Sequence, residues 1–366
     1  MKFSVNISLA ILIIQFLCGC KNSVKEETAI KTGKGCEYAT NFDIFGKNES
    51  KIIVIRESWN SDTNSGDTIK QSEYKNVPFK RVVCMSTSHI AYLSALGLEN
   101  CIVGVSGSKY ISNPAIKDKI KKGDIADVGF ESSLNYELLI SLKPDIVFSY
   151  GISGENNQYI EKMRQFGIRV VTIGDYLEEH PLGKLEYLKL FGELFGVRER
   201  ADSIYNDSKS SYLNYKNLAA NSKRVKVLIN APWKDVWYIP GDRSYISVLI
   251  NDAGGDILLS KNGKATPHSY NLEEVYSISS EADYWLNPNN YSSIEELKYS
   301  NPLFKNIPAL KKGMIFNNIL RNTPEGGSDF WETGVVEPDA ILRDLIKIFH
   351  PELDTEWQLK YYMKLK

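Results

Sequence analysis

The feature that most constrains the fold is an alternation of short apolar runs with amphipathic stretches, which occurs twice along the chain. Such alternation is typical of βαβ units, in which helices connect parallel strands. The first set of predicted strands is 82–85, 102–105, 146–149 and 170–173, and the second is 225–229, 236–239, 284–286 and 314–316. We therefore predict an α/β fold with two Rossmann-like lobes, each built on a mainly parallel sheet.

A helical connector is predicted between the two sets. Residues 182–217 carry apolar side chains at helical spacing and contain no proline. We expect one long backbone helix, or two nearly collinear helices broken around Gly196. Because a helix of this length spans tens of Å at about 1.5 Å per residue, it should join the lobes and allow little pivoting.

The N-terminus predicts export from the cytoplasm. Lys2 precedes an apolar run at 7–17, which is too short to span a bilayer and ends in Leu17-Cys18-Gly19-Cys20. This ending resembles a bacterial lipobox, so we expect residues 1–19 to be removed and Cys20 to be lipidated. The alternative is a soluble secreted protein with an incidental cysteine. The expected location is the cell envelope, on the periplasmic side, with the membrane contacted only through the lipid.

The remaining boundaries follow from these patterns. The predicted organisation is a flexible tether at 20–37, an N-terminal strand extension at 38–80, a first lobe at 81–181, the connector at 182–222 and a second lobe at 223–366. Removing residues 1–19 removes Lys2 and no acid, so the formal net charge of −1 becomes −2. A chain without basic excess is not expected to bind nucleic acid.

Five cysteines are present, two of them at Cys18 and Cys20. The other three, Cys36, Cys84 and Cys101, are an odd number for an oxidising compartment, so at least one stays unpaired. Because Cys84 and Cys101 each fall in a predicted buried strand, two packed thiols are favoured over a bridge.

A short repeat occurs once in each predicted lobe. The motif Asn-x-Glu at 135–137 and 271–273 opens a short amphipathic helix that leads to a strand. In both copies an acid, Asp145 or Glu281, follows the glutamate by eight positions and is placed at the start of that strand. Asn and Glu at a helix start also serve as ordinary capping residues. The other interpretation is one acidic contact on each lobe for a two-fold partner.

Four segments in this order carry a family resemblance: 81–88, 142–147, the connector and 338–353. Together they resemble the binding proteins of ABC importers for iron-siderophore complexes, haem and cobalamin, the class with a single backbone helix, and especially the lipoprotein branch of Bacteroidetes-type bacteria. The resemblance implies two lobes that hold a metal chelate and a dimeric ABC permease as partner. It also implies that Glu137 and Glu273 pair with arginines of that permease. We expect a monomer that binds a small molecule.

The ligand is expected beyond the carboxyl ends of the strands. Aromatic, histidine and arginine side chains recur there, as a flat or apolar chelate requires. The candidate ligand contacts are His89, Tyr110, Tyr150, Trp233, Tyr238, His268, Tyr270, Arg321, Phe330 and Trp331. The last three belong to a loop with adjacent glycines at 326–327, which should permit local closure.

The identity of the chelate stays open between three classes. Anionic siderophores call for several arginines, haem for an axial ligand from His89, Tyr110, His268 or Tyr270, and cobalamin for aromatic walls with few charges. We expect an iron-siderophore or haem before cobalamin, with no cofactor and no directly bound metal, because the four histidines lack ligand spacing.

Two rival functions make different demands on the sequence. An envelope hydrolase would need a catalytic motif, but the segment 104–108 lacks the second glycine of a nucleophile elbow, so no enzyme activity is expected. The second rival is a surface receptor that passes its chelate to an outer-membrane transporter.

Overall fold

The computed structural model describes residues 35–46, 50–56, 66–74, 79–130, 133–151, 157–260 and 263–366. The predictions for the segment 1–19, for Cys20 and for most of the tether lie outside these residues. Within them, no helix is both long enough and apolar enough to cross a membrane.

A small antiparallel sheet precedes the first lobe. Its strands, in the order β1-β2-β3, are Phe42–Phe45, Ile52–Arg56 and Gly66–Lys70. The side chain of Asp67 joins this sheet to the first lobe, since it pairs with Arg164 at 3.1 Å and accepts the backbone N–H of Thr172 at 3.2 Å.

The first lobe is a five-stranded parallel sheet in the order β6-β5-β4-β7-β8. Its elements are β4 (Val82–Cys84), α1 (Thr87–Ala95), β5 (Ile102–Val105), α2 (Pro114–Lys122), β6 (Ala126–Asp127), α3 (Tyr136–Ser141), β7 (Ile146–Ser149), α4 (Asn157–Gln165) and β8 (Val170–Thr172). The three residues of β4 and the four of β7 are all buried, because helices cover both faces of a parallel sheet. The four predicted strands of this lobe are confirmed within one residue.

The connector consists of α5 (Pro181–Leu185), α6 (Tyr187–Leu194) and α7 (Arg198–Ala219). The predicted break at Gly196 is confirmed, since this residue adopts a φ of +70° between α6 and α7. The prediction of nearly collinear helices is wrong, because α6 packs against α7. A Cβ added at Gly192 would lie 2.4 Å from the Cβ of Ala201, so only glycine allows this close approach. The single long helix is therefore α7, with 22 residues.

Two buried carboxylates of the connector region hold the start of the described chain. Glu186 accepts the backbone N–H groups of three consecutive residues, 37–39, at 2.9 to 3.1 Å. Glu178 accepts those of Thr40 and Asn41 at 2.9 to 3.0 Å. Asp43 likewise accepts the N–H groups of residues 35 and 36. The flexible tether predicted to end at 37 is thus already held in place from residue 35.

The second lobe has a sheet in the order β11-β9-β13-β14-β15, in which only the edge strand β15 is antiparallel. Its elements are β9 (Val225–Ile229), β10 (Val236–Ile239), α8 (Tyr245–Asp252), β11 (Gly255–Ile257), β12 (His268–Asn271), α9 (Leu272–Ile278), β13 (Tyr284–Leu286), α10 (Ile294–Ser300), α11 (Pro308–Lys311), β14 (Ile315–Asn317), α12 (Pro338–Phe349) and β15 (Met363–Lys364). The predicted α/β fold with two mainly parallel sheets is confirmed.

Two predictions for strands need correction. The run 236–239 is a strand, but β10 pairs only with β12, in a separate antiparallel ribbon. Cys101 does not lie in a strand, since it ends a short 3-10 helix at Glu99–Cys101 just before β5. The prediction of unbridged thiols is confirmed, because Cys36, Cys84 and Cys101 are all free.

Candidate ligand-binding cleft

The carboxyl ends of the first lobe's strands carry one half-buried and three accessible aromatic side chains. Tyr110, after β5, is 39% exposed, and its ring lies 5.8 Å from that of Phe130, which follows β6. Tyr176, after β8, is 42% exposed and donates its hydroxyl to the carbonyl of Gly151. Tyr150 is half-buried beside it. Phe130 was not among the predicted contacts, because no motif marks it.

His89 does not reach the ligand surface. It lies on α1 with no exposed area, and its ring is 6.1 Å from Phe148 and 6.4 Å from Phe191. Burial lowers the pKa of its imidazole to about 4, so the ring is neutral at physiological pH. The prediction of His89 as a ligand contact is corrected: it is a core residue of the first lobe.

A cavity of about 880 Å³ opens in the second lobe at the carboxyl ends of β9 and β13. The predicted contacts Trp233 and Tyr238 both line it, and Trp233 is 68% exposed. Sequence reasoning missed Tyr291 and Tyr299, which also line the cavity and are supplied by the turn after β13 and by α10. The volume lies within the usual range of ligand sites, about 300 to 1,000 Å³.

The turns that frame this cavity hold their backbone in an unusual conformation. Of the six non-glycine residues with positive φ in the described chain, four lie in these turns: Asn230, Lys234, Asn287 and Asn289, at 61°, 55°, 51° and 47°. The Asn289 amide supports the β9 turn, because it donates to the carbonyl of Ala231 at 2.9 Å. Backbone strain of this kind concentrates at functional sites.

The β10–β12 ribbon carries three predicted contacts. Tyr238 pairs with Ser269 across the ribbon, next to His268, and both Tyr238 and His268 are exposed. Tyr270 is half-buried, and its hydroxyl donates to the carbonyl of Leu259 at 3.0 Å. Of these three side chains, the structure places only Tyr238 on the large cavity.

The loop between β14 and α12 contains the last three predicted contacts. Arg321 is half-exposed, but its Nε lies 2.5 Å from the carboxylate of Asp329, so its charge is already paired. Phe330 is 1% exposed and packs against Tyr361 and Tyr362, which corrects its assignment as a ligand contact. Trp331 is 46% exposed and remains accessible.

A buried ammonium lies beneath Trp331. The Nζ of Lys184, on α5, is 4.8 Å from the ring centroid of Tyr245 and 5.6 Å from that of Trp331. Burial lowers its pKa, while Asp175 and Glu178 favour its charged form. These contacts bring the connector and the second lobe together beneath Trp331.

The same loop also contacts the first lobe. The carboxylate of Glu332 accepts the backbone N–H groups of Ser112 at 2.6 Å and Asn113 at 2.9 Å, directly before α2. Glu325 lies 3.7 Å from the Nζ of Lys117 on α2. Burial is the main cause that raises the pKa of Glu332, to about 7. The loop therefore links the lobes through a buried acid.

The repeated Asn-x-Glu motif caps two helices. Asn135 accepts the N–H of Leu138 at the start of α3, and Asn271 accepts that of Glu274 at the start of α9. Glu137 and Glu273 occupy the same position after their caps, and both are exposed. Neither forms an ion pair within the part of the chain that the structure describes.

The acid that opens the strand was assigned correctly in one copy only. Asp145 accepts the backbone N–H of Arg81 before β4, and Asp283 accepts that of Lys226 in β9. Asp283, not Glu281, is thus the counterpart of Asp145, because a 3-10 turn at Ser279–Glu281 lengthens the second copy.

Among the described residues, no group of three or more His, Cys, Asp or Glu side chains could hold a metal ion.

Two curated relatives have similar sequences. An uncharacterized lipoprotein of Methanocaldococcus jannaschii is 27% identical over 300 residues, which cover 79% of this chain and 69% of the relative. The uncharacterized ABC transporter substrate-binding lipoprotein YvrC of Bacillus subtilis is 24% identical over 257 residues, covering 69% and 73%.

Solved structures share the fold at low identity. The molybdate-binding protein MolA of Haemophilus influenzae has a TM-score of 0.59 at 18% identity, covering 77% of this chain and 89% of its own. The haem-binding protein HutB of Vibrio cholerae has a TM-score of 0.58 at 15% identity, covering 74% and 99%. The vitamin B12-binding protein BtuF of Vibrio cholerae has a TM-score of 0.53 at 12% identity, covering 74% and 96%.

A family model spans the two lobes and the connector between them. It matches residues 82–317, from the first strand of the first lobe to the last parallel strand of the second. This agrees with the resemblance drawn from the sequence and with the strand order of both sheets. The chain belongs to the periplasmic binding protein family.

Proposed function

We propose that this chain is the lipid-anchored substrate-binding protein of an ABC importer, and that it captures a metal chelate and delivers it to the permease. The observation that carries the proposal is the cavity of about 880 Å³ at the carboxyl ends of β9 and β13, lined by Trp233, Tyr238, Tyr291 and Tyr299. Aromatic walls of this area suit a large, flat ligand better than a bare ion.

The names of relatives support a chelate as the ligand class, since two solved structures with this fold bind haem and vitamin B12. If haem is the ligand, its axial partner is not His89, which has no exposed area. Tyr110 and His268 are both exposed, and the hydroxyl of Tyr270 donates to the carbonyl of Leu259 at 3.0 Å. Haem coordination would therefore come from an exposed Tyr or His.

Delivery is proposed to use the two exposed glutamates. Glu137 and Glu273 occupy equivalent positions in the first turns of α3 and α9, one on each lobe. Exposed charges of this kind steer and orient docking more than they add affinity. A permease with two equivalent arginine-bearing surfaces would match them.

The experiment that tests this function is a ligand screen on the full chain, purified in detergent. Haem, cyanocobalamin, ferric siderophores, molybdate and free iron salts are added separately, and complexes are measured by native mass spectrometry, visible absorption and melting temperature. We expect a one-to-one complex with one chelate, stabilised by about 2.7 kcal/mol at a hundredfold excess over its dissociation constant. Stabilisation by molybdate or iron salts equal to that by every chelate would refute the proposal.

A further inference from the structure

The charges around the large cavity are nearly balanced. Its lining contains one cation, Lys234, and one anion, Glu296. The carboxylate of Glu296 is held at its place by Ser292, which donates its backbone N–H at 2.7 Å and its hydroxyl at 3.0 Å. Lys234 is exposed and forms no ion pair with any described residue. At most one negative charge of a ligand could therefore be paired inside this cavity.

Of the other cations near the strand ends, Lys109 after β5 is exposed beside the ring of Tyr110 and does not line this cavity, and three more are already engaged. Arg321 pairs with Asp329 at 2.5 Å, and Arg243, between β10 and α8, pairs with Glu179 at 2.5 Å. Lys184 is buried beneath two aromatic rings. A ligand with two or three carboxylates or catecholates would find one cation in this cavity, and its other charges would lie against aromatic rings without a partner, which is less favourable than placing a neutral group there.

The polar groups that remain free are amides and phenols. Asn230 donates its side-chain amide to the carbonyl of Tyr238 at 2.8 Å, and its backbone carbonyl accepts the indole N–H of Trp285 at 2.6 Å. Asn290, in the turn after β13, is exposed and lines the same cavity. Amide side chains offer both donors and acceptors, so they can form hydrogen bonds with amide groups on the periphery of an uncharged ligand.

Three large rings around the cavity lack a cover within the described chain. Trp233, Tyr238 and Tyr299 are 68%, 45% and 91% exposed. The four positive-φ residues lie in the turns that carry Trp233 and the asparagines, whereas Tyr238 lies on β10. Exposed aromatic surface gathered at one concave site marks a binding surface.

We propose that the cavity selects an uncharged, amide-bearing macrocyclic metal chelate of the corrinoid class over anionic chelates such as haem or tris-catecholate siderophores. This inference rests on the proposed function, because it assumes that the cavity binds a chelate. It also reverses the order expected from the sequence, which placed iron-siderophores and haem first.

The test compares three probes on the full chain in detergent by isothermal titration calorimetry. They are cyanocobalamin, which is neutral and carries amides, haem, which carries two carboxylates, and ferric enterobactin, which carries three negative charges. We expect cyanocobalamin to bind at least about tenfold more tightly than either anion. Its affinity should change less than about twofold between 50 and 500 mM NaCl, because no charge pair is formed.

Variants separate ring stacking from charge pairing. Trp233→Ala should weaken cyanocobalamin binding at least about tenfold, whereas Phe166→Ala, which removes an exposed ring from the first lobe, should leave it unchanged. Lys234→Gln should change it less than about twofold. Tighter binding of haem or ferric enterobactin, or a tenfold loss with Lys234→Gln, would overturn the inference and leave the proposed function intact. Absence of binding for all three chelates would overturn both.

Discussion

The buried carboxyl of Glu332 gives the sharpest prediction about the link between the lobes. Its pKa is raised to about 7, chiefly by burial, against an ordinary value near 4.5. The folded protein thus holds this proton more tightly than the unfolded chain. The associated stability is fully present below pH 4.5 and is lost as the pH rises through 7.

The magnitude follows from the two pKa values. A shift of about 2.5 units corresponds to roughly 3 kcal/mol in total, of which about 2.5 kcal/mol is lost between pH 5 and pH 8. Glu332→Gln removes this titration. The NH2 group of the glutamine would, however, face one of the two backbone N–H groups that the carboxylate now accepts, and two donors cannot pair. We expect the variant to be less stable than the parent by about 1 kcal/mol at pH 5 and more stable by about 1.5 kcal/mol at pH 8.

The assay is urea unfolding of the full chain, followed by tryptophan fluorescence at pH 5, 6, 7 and 8. Other buried titrating groups, such as His89 and Glu178, occur in both proteins and cancel in the difference. Glu325→Gln serves as the control, because Glu325 is exposed and should leave the pH profile unchanged. Parallel profiles for the parent and Glu332→Gln would show that burial of this acid does not couple the lobes to pH.

Three further changes probe the connector, docking and anchoring. Gly192→Ala should lower the free energy of unfolding by about 1 to 3 kcal/mol, because its Cβ would lie 2.4 Å from that of Ala201; an unchanged urea midpoint would contradict the tight α6–α7 packing. The double variant Glu137→Arg, Glu273→Arg should keep chelate affinity within about twofold and lower importer-dependent uptake; collapse of affinity or unchanged uptake would refute the docking role. Cys20→Ala should abolish fatty-acid incorporation and move the protein to soluble fractions; membrane retention after a salt wash would refute the lipid anchor.

Much of the secondary structure was predictable because it depends on neighbouring residues. The runs at Ile102–Val105, Ile146–Ser149 and Val225–Ile229 are strands with the predicted bounds, since their apolar side chains must be buried in a sheet. Asn135 and Asn271 cap their helices through bonds that span three residues. The alternation of strands and helices likewise determined the α/β class.

The candidate site was only partly predictable. Trp233, Tyr238 and Trp331 are accessible as expected, because residues that follow parallel strands reach the same edge of a sheet. His89 and Phe330 occupy equally plausible positions in the sequence but are buried, because residues distant in the chain cover them. Tyr299 could not be found from its own sequence context, since only the packing of α10 brings it to the cavity.

Local patterns by themselves determined most of the strands, the caps and the order of the lobes. Only the tertiary structure decided the α6–α7 packing, the β10–β12 ribbon and the pairing of Arg321 with Asp329. It also decided that Glu332 caps a segment 219 and 220 residues away along the chain. The physical reason is that hydrophobic periodicity and capping act over a few residues, whereas burial and charge pairing depend on which distant segments pack together.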